Sequence, residues 1–184
     1  MVRRIKKETA SGITRRARRI RLLIVDVDGV MTDGRMIVDS NGTEIKLFDV
    51  KDGLGLVFAR QAGLKTAIIT AERTPVVSNR ARRLKIGWVA QGAKDKSEAL
   101  DRCLKFFRMT EAETAYIGDD LLDGPVLVRV GLSAAVADAR PEIKNCVHWV
   151  ARARGGRGAV REFTELILRA QGKWTPIVKR YLRS

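Results

Sequence analysis

Continuous apolar runs alternate along the chain with segments in which apolar residues recur at helical spacing. The apolar runs are rich in Val and Ile, which is typical of strands buried on both faces of a parallel sheet. The predicted strands are residues 22–27, 65–70, 86–92, 114–120, near 132–136 and 147–150. The predicted helices are residues 53–62, 75–84, 97–107, 123–130 and 159–170. Strands that alternate with helices predict an α/β fold with a mostly parallel sheet flanked by helices.

A hairpin is predicted directly after the first strand, over residues 35–50. Two strand-like stretches, 35–39 and 44–49, flank Asn41-Gly42, which is a dipeptide typical of tight hairpin turns. The chain is thus predicted to contain one domain, with a basic extension on either side. The extensions are residues 1–21, which include a short basic helix over 12–21, and residues 171–184; the domain is residues 22–170.

The net charge of +15 lies at the two ends of the chain. Residues 1–21 carry +8 and residues 151–184 carry +7, so the body between them is neutral. Such ends are typical of solvated flanks, or of segments that bind RNA, membranes or acidic partners without specificity; a non-catalytic scaffold or a nucleic-acid-binding protein is the corresponding alternative to an enzyme. A nucleic-acid partner is not expected, because the basic residues are not interleaved with aromatic residues for base stacking and the sequence has no zinc-knuckle spacing.

The location expected from the sequence is the cytoplasm. No apolar run approaches the roughly 20 residues that span a bilayer, and the N-terminal segment is too polar for a secretory signal. Cys103 and Cys146 are far apart and match no metal-binding spacing, which fits free thiols in a reducing compartment. His148, the only histidine, is predicted to be structural.

Polar residues lie at the ends of successive predicted strands or directly after them. Because the carboxyl ends of parallel strands share one edge of the sheet, these residues are expected to converge there. In chain order they are Asp26 and Asp28, Thr70, Lys94 and Lys96, Asp119 and Asp120. Clustered carboxylates favour a bound hard cation such as Mg²⁺, and a hydroxyl and an ammonium group favour phosphate oxygens. The set predicts phosphoryl transfer, although each motif by itself also fits a turn or a cap.

A receiver-like phosphorylation domain is the alternative that uses the same residue types on a similar sheet. In such domains the lysine follows the last of the acids, whereas here the lysines precede Asp119. The order of the residues therefore favours an enzyme.

The chain resembles phosphatases of the haloacid dehalogenase superfamily, in the small capless branch typified by 3-deoxy-D-manno-octulosonate 8-phosphate phosphatases. The resemblance covers about residues 20–170 and implies a Rossmann-like core in which the short hairpin takes the place of a cap. The matching stretches are DVDGVMTDG, the Asn-Gly hairpin, KDGLG, AIIT, QGAKDK, YIGDDLLDGPVL and RGGRGAVREF.

The resemblance implies a role for each strand-end residue. Asp26 is expected to be the nucleophile that forms an aspartyl-phosphate, and Asp28 the acid that protonates the leaving oxygen and later activates water. Thr70 and Lys96 are expected to bind the phosphate. Lys96 is preferred to Lys94 because the family pattern places its lysine directly after an aspartate.

The resemblance also implies a Mg²⁺ site. Asp26, the backbone carbonyl of Asp28 and Asp119 are the expected ligands, and Asp120 and Asp123 are expected to support them.

The substrate implied is an ulosonic-acid sugar phosphate, most simply 3-deoxy-D-manno-octulosonate 8-phosphate, used in lipopolysaccharide synthesis. Octulosonate phosphatases typically have Thr-Gly-Arg in the second motif, but here Glu72 and Arg73 follow Thr70-Ala71. Glu72 together with Arg83 resembles the branch that acts on nonulosonate (sialic-type) 9-phosphates, while Arg73 is a possible substitute for the motif arginine. Both substrates remain open.

The resemblance further implies a homotetramer, with active sites at the subunit interfaces. In that family hairpins from four subunits form a barrel, and a glycine-rich segment reaches a neighbouring pocket. Here that segment is RGGRG, residues 154–158, which would bring Arg157 to the neighbour. The alternative is an ordinary loop before the last helix.

Overall fold

The computed structural model describes residues 8–182, in which strands and helices alternate as predicted. The strands are β1 Leu22–Val25, β2 Ile37–Val38, β3 Glu44–Ile45, β4 Lys65–Ile69, β5 Trp88–Ala90, β6 Thr114–Gly118, β7 Leu132–Ala135 and β8 Trp149–Val150. The helices are α1 Ala10–Ala17, α2 Val50–Gln61, α3 Pro75–Leu84, α4 Lys96–Phe107, α5 Gly124–Leu127, α6 Pro141–Lys144, α7 Ala159–Ala170 and α8 Trp174–Leu182.

Six of the strands form one parallel sheet in the order β5-β4-β1-β6-β7-β8. The central strand β1 is buried along its whole length, as its unbroken apolar sequence predicts. Val25 pairs with Ile68 on β4 and with Ile117 on β6, so the three central strands end nearly level with one another. The α/β prediction is confirmed, and the register brings the residues after these strands to one edge.

The hairpin is present, but it is shorter than predicted. Strands β2 and β3 pair antiparallel over two residues each, and Gly42 in the turn has φ +79°. The hairpin forms a separate two-stranded sheet, and no other strand in residues 8–182 extends its pairing. Its apolar side chains are exposed.

The region predicted as a helix over 123–130 contains less helix than expected. A 3₁₀ turn, Leu121–Asp123, comes first, and α5 adds only four residues. The turn begins early because the carboxylate of Asp123 accepts hydrogen bonds from the backbone N–H groups of Asp119 and Asp120.

Both basic ends contribute to the packed fold. Helix α1 lies on α7 and buries Ile13 and Ala17. Helix α8, which the hydrophobic pattern does not predict, packs Trp174 edge-on against Phe58, with ring centroids 5.8 Å apart. None of the helices in residues 8–182 has the length and apolar character that crossing a bilayer requires.

Candidate active site

A cleft of about 270 Å³ opens at the carboxyl ends of β1, β4 and β6. Its lining includes most of the residues that were predicted to carry chemistry: Asp26, Asp28, Thr70, Glu72, Lys96, Asp119, Asp120 and Asp123. A larger groove, of about 590 Å³, lies between α1, β8 and α7, and it is lined by none of the predicted site residues. The strand ends therefore converge as the parallel topology requires.

Asp26 forms a buried ion pair with Lys96. Asp26 is only 5% exposed, and its Oδ2 lies 2.9 Å from Nζ of Lys96, at the first residue of α4. Burial raises the pKa of the Asp26 carboxyl well above its ordinary value and the nearby Asp123 adds to this, while Lys96 opposes both. Burial lowers the pKa of Lys96, but the charges of Asp26 and Asp123 outweigh it, so the pKa of the amine is raised. Lys94 is exposed and does not line the cleft.

Asp123 is fully buried beneath this pair, and its two carboxylate oxygens are occupied by hydrogen bonds. Oδ1 accepts from Nζ of Lys96 at 2.6 Å and from the hydroxyl of Tyr116 at 2.6 Å. Oδ2 accepts from the backbone N–H groups of Asp119 and Asp120. Asp123 thus orients the lysine and the loop after β6. Sequence reasoning missed Tyr116, because a tyrosine in a buried strand gives no sign that its hydroxyl is bonded.

Three carboxylates lie close enough to surround a metal ion. One oxygen from each of Asp26, Asp119 and Asp123 lies within 4.8 Å of the others. Oδ1 of Asp119 is buried and has no hydrogen-bond partner within residues 8–182. Burial, with Asp123 adding to it, raises the pKa of Asp119 to about 7. Both oxygens of Asp123 already accept hydrogen bonds, whereas Oδ1 of Asp119 is open, and carboxylate oxygens are hard donors that suit Mg²⁺. Exposed Asp120 instead bonds the N–H of Leu121, at 2.6 Å.

The hydroxyl of Thr70 faces the cleft without a protein partner. Thr70 is buried, and its Oγ1 makes no hydrogen bond to any residue in the described part of the chain. Its backbone is held on both sides, since its N–H donates to the carbonyl of Ala90 and its carbonyl accepts from the N–H of Ala93, both at 3.0 Å. A fixed hydroxyl of this kind is suited to bond a ligand oxygen.

Asp28 is bound by a lysine that the sequence analysis did not single out. Oδ1 of Asp28 accepts a short hydrogen bond from Nζ of Lys46, which follows β3 in the hairpin. Lys46 also pairs with Glu44 at 2.7 Å, and its side chain is only 2% exposed. Burial lowers the pKa of Lys46, but the hydrogen bonds to Asp28 and Glu44 outweigh it, so the pKa is raised. Nothing in the sequence distinguishes Lys46 among the 36 Lys and Arg residues, so this contact could not be predicted from it.

The predicted specificity residues are dispersed. Glu72 lines the cleft. Arg73 instead borders a separate cavity of about 470 Å³ beside β5, and Arg83 is exposed on α3. The side chain of Arg157 is 71% exposed, and its guanidinium lies 3.8 Å from the carboxylate of Asp33. Within one chain, only Glu72 of these four residues lines the cleft.

The RGGRG segment lies against its own chain, as in the second interpretation of the sequence. The N–H of Gly156 donates to the carbonyl of Val30 at 2.9 Å, and the N–H of Gly155 donates to Asp138 at 2.9 Å. A Cβ on Gly155 would overlap the carbonyl oxygen of Gly29. The segment therefore packs under the loop that carries Asp28, and only glycine permits this approach.

The sequence matches a known family and several named enzymes. A model of haloacid dehalogenase-like hydrolases matches residues 72–161. The 3-deoxy-D-manno-octulosonate 8-phosphate phosphatase of Yersinia pestis is 46% identical over 164 residues, covering 89% of this chain and 88% of that protein. The enzyme of the same name from Escherichia coli K12 is 43% identical, covering 89% of this chain and 87% of that protein.

Solved structures are similar along nearly the whole chain. A probable YrbI family phosphatase from Pseudomonas syringae superposes with a TM-score of 0.93 at 42% identity, covering 95% of this chain and 99% of that one. The 3-deoxy-D-manno-octulosonate 8-phosphate phosphatase of Moraxella catarrhalis has a TM-score of 0.90 at 38% identity, covering 92% and 97%. That crystal structure is a complex with magnesium, phosphate and the KDO molecule.

Proposed function

We propose that this chain, which belongs to the haloacid dehalogenase-like hydrolases and is a phosphatase, hydrolyses 3-deoxy-D-manno-octulosonate 8-phosphate to the free sugar acid and phosphate. The observation that carries the proposal is the cleft itself. It combines the buried Asp26–Lys96 pair with the unpartnered oxygens of Asp119 and Thr70. The names of the relatives and the ligands of the Moraxella catarrhalis enzyme support the choice of sugar.

The proposed reaction has two steps that share Asp26 and Asp28. In the first, a carboxylate oxygen of Asp26 attacks phosphorus, the bond to the sugar oxygen breaks, and Asp28 gives that oxygen a proton. In the second, Asp28 takes a proton from water, which attacks phosphorus and releases phosphate from Asp26. Lys96 and the Thr70 hydroxyl bond the phosphate oxygens in both steps, where their donors stabilise the developing charge.

We propose that Asp26, the backbone carbonyl of Asp28 and Asp119 hold Mg²⁺ in this cleft. Bound there, the ion would neutralise charge on the carboxylates and on the phosphate oxygens. The open oxygen of Asp119 supports this ligand set. Asp123 keeps the loop of Asp119 and Asp120 in place through its two backbone hydrogen bonds.

A nonulosonate 9-phosphate is the second candidate substrate, and the position of Glu72 favours it. A carboxylate that lines the cleft prefers hydroxyl or amine groups as partners, and a glutamate at this position resembles the branch that acts on nine-carbon acids. The test is kcat/KM on the eight-carbon and nine-carbon sugar phosphates, measured as released phosphate. A strong preference for the nine-carbon compound would refute the first choice of substrate and leave the phosphatase chemistry intact.

The exposed hairpin supports a homotetramer with active sites at subunit interfaces. Isolated exposed apolar residues are common, but a continuous group of this kind marks an interaction surface. The exposed apolar side chains of this region are Met36, Ile37, Val38, Ile45, Leu47 and Val50. Arg73, Arg83 and Arg157 then remain specificity candidates in the assembly. We place the enzyme in the cytoplasm, which the buried free thiols of Cys103 and Cys146 support.

A non-catalytic protein that binds nucleic acid through its basic ends is the alternative from another functional class. Asp26→Asn distinguishes the two, because the amide cannot act as the nucleophile. We expect Mg²⁺-dependent phosphate release from the eight-carbon sugar phosphate to fall to background in this variant, and to persist in Glu98→Gln, which alters an exposed carboxylate on α4. Wild-type turnover in Asp26→Asn would refute the proposed mechanism.

A further inference from the structure

Lys46 has an unusual position for a lysine. Its side chain is nearly inaccessible to solvent and its amine lies between two carboxylates, those of Asp28 and Glu44. Ile45 and Leu47, its neighbours in the chain, are exposed, whereas the side chain of Lys46 is buried and directed to Asp28. A buried ion pair contributes little net stability, because desolvation of the charges offsets their attraction. Fold stability by itself gives little reason for a lysine at this position.

The two oxygens of Asp28 differ in their surroundings. Oδ1 is bonded by Lys46, whereas Oδ2 is buried and has no partner among the residues that the structure describes. An acid that donates a proton in one step and accepts it in the next needs one free oxygen in a fixed direction. Oε1 of Glu44 lies 2.7 Å from the same amine, and this second ion pair limits the movement of Lys46.

We propose that Lys46 is a positioning residue, which holds Oδ1 of Asp28 so that Oδ2 exchanges the proton with the leaving oxygen and then with water. This inference rests on the proposed function, since it assigns a task to Asp28 within that reaction. It also connects the hairpin to catalysis, because the segment that exposes Ile45 and Leu47 carries the lysine that bonds Asp28.

The test compares two leaving groups in Lys46→Met, which keeps the length of the side chain and removes its charge. A sugar alkoxide needs protonation as it leaves, whereas p-nitrophenolate leaves without it. With 3-deoxy-D-manno-octulosonate 8-phosphate we expect kcat to fall roughly 10- to 100-fold and KM to change less than about threefold, because the change affects acid–base catalysis. With p-nitrophenyl phosphate we expect a burst of nearly one nitrophenolate per active site, followed by slow turnover, since only water activation is impaired.

Two variants serve as controls. Lys46→Arg keeps the charge and the donors, so we expect it to recover kcat to within about tenfold of wild type, although arginine has a different shape. Lys65→Met alters an exposed lysine at the start of β4 and should leave both substrates unaffected. Equal loss on both substrates without a burst, or wild-type turnover in Lys46→Met, would overturn the positioning role.

If Lys46→Met does not fold, Glu44→Gln tests the same contact from the other side. The loss of its charge loosens Lys46, so a burst with p-nitrophenyl phosphate is again expected, and turnover without a burst at the wild-type rate would overturn the role. Failure of the proposed function gives a different result. A wild-type chain that releases no phosphate from either substrate would refute both proposals, whereas an active wild type with unaffected variants refutes only the role of Lys46.

Discussion

Gly29 lies so close to the carboxylate of Asp119 that a Cβ on Gly29 would overlap with it. Gly29 also has φ +80°, a conformation that side chains disfavour. The loop after β1 and the loop after β6 therefore meet at a point where only a hydrogen atom fits. The two parts of the proposed metal site, Asp26 and Asp119, depend on this approach.

Gly29→Ala is expected to displace Asp119 and reduce activity strongly. The methyl group forces the carboxylate away from the cleft, so we expect kcat/KM to fall roughly 100-fold and the apparent Mg²⁺ affinity to fall as well, since small misplacements of this kind are costly. The measurement is phosphate release over a Mg²⁺ titration. Gly63→Ala is the matched control, because Gly63 has φ +89° and no atom near its would-be Cβ. Both variants share the backbone strain, and equal loss in both would contradict the role of the contact.

Thr70→Val is expected to separate activity from stability. The variant removes an unpartnered buried hydroxyl, so the free energy of unfolding should be unchanged or higher, whereas kcat/KM should fall roughly 10- to 100-fold if the hydroxyl bonds phosphate. Thr164→Val in α7 removes a second unpartnered buried hydroxyl outside the cleft. Phosphate release and thermal unfolding are measured for both variants, and only Thr70→Val should lose activity. Normal activity in Thr70→Val would exclude phosphate binding by the Thr70 hydroxyl.

Tyr116→Phe is expected to weaken the support for Asp123. The variant deletes the 2.6 Å hydrogen bond to Oδ1 of Asp123. We expect the free energy of unfolding to fall by about 1–2 kcal/mol, because the bond is buried and its acceptor is charged. Chemical denaturation measures this change, with Tyr181→Phe on exposed α8 as the control. A change equal to that of the control would show that the hydroxyl of Tyr116 contributes nothing to holding Asp123.

Acidification is expected to destabilise the protein through His148. Nδ1 of this half-buried side chain accepts a hydrogen bond from the N–H of Ser133 at 3.0 Å, so the neutral ring is the one that fits. Burial, with Arg16 adding to it and Glu8 opposing, lowers the pKa of His148 to about 4. The unfolded chain, with a pKa of about 6.5 for histidine, binds the proton first, so stability is lost as the pH falls from about 6.5 towards 4.

The contribution of His148 is obtained by comparing wild type with His148→Gln, whose amide oxygen can also accept a hydrogen bond. Between pH 7 and pH 4.5 we expect wild type to lose about 1–2 kcal/mol more free energy of unfolding than the variant, a figure reduced for the partial exposure of the ring. The carboxylates titrate in both proteins and cancel in this difference. Parallel pH profiles would contradict the assignment.

Ile37→Ser combined with Ile45→Ser is expected to dissociate the proposed tetramer. The two side chains are cross-strand neighbours in the hairpin, and both are exposed in the single chain, so their loss removes apolar surface without opening a cavity. Sedimentation velocity should show a tetramer for wild type and smaller species for the variant. Phe106→Ser, which alters an exposed apolar residue on α4, is the control. A double variant that sediments like wild type would exclude the hairpin as the assembly surface.

The sequence by itself determined the α/β architecture and the residues that meet at the carboxyl edge of the sheet. Buried parallel strands need unbroken apolar runs, and the residue that ends such a run lies at the carboxyl edge of the sheet. Asp26, Thr70 and Asp119 could therefore be grouped before any contact was known. Lys96 was preferred to Lys94 only through the family resemblance, and the structure places Lys96 against Asp26.

Only the tertiary structure decided which other side chains, beyond those at the strand ends, contact the proposed catalytic and supporting carboxylates. Lys46 meets Asp28 because the segment after β3 returns to the loop after β1, and Tyr116 meets Asp123 because the turn after β6 brings that carboxylate back to the strand. Arg73 and Arg83 lie outside the cleft of the single chain for the same reason, since the direction of a loop or helix side chain follows from packing. Periodicity specifies which face of an element is buried, whereas contacts between distant segments depend on how the elements assemble.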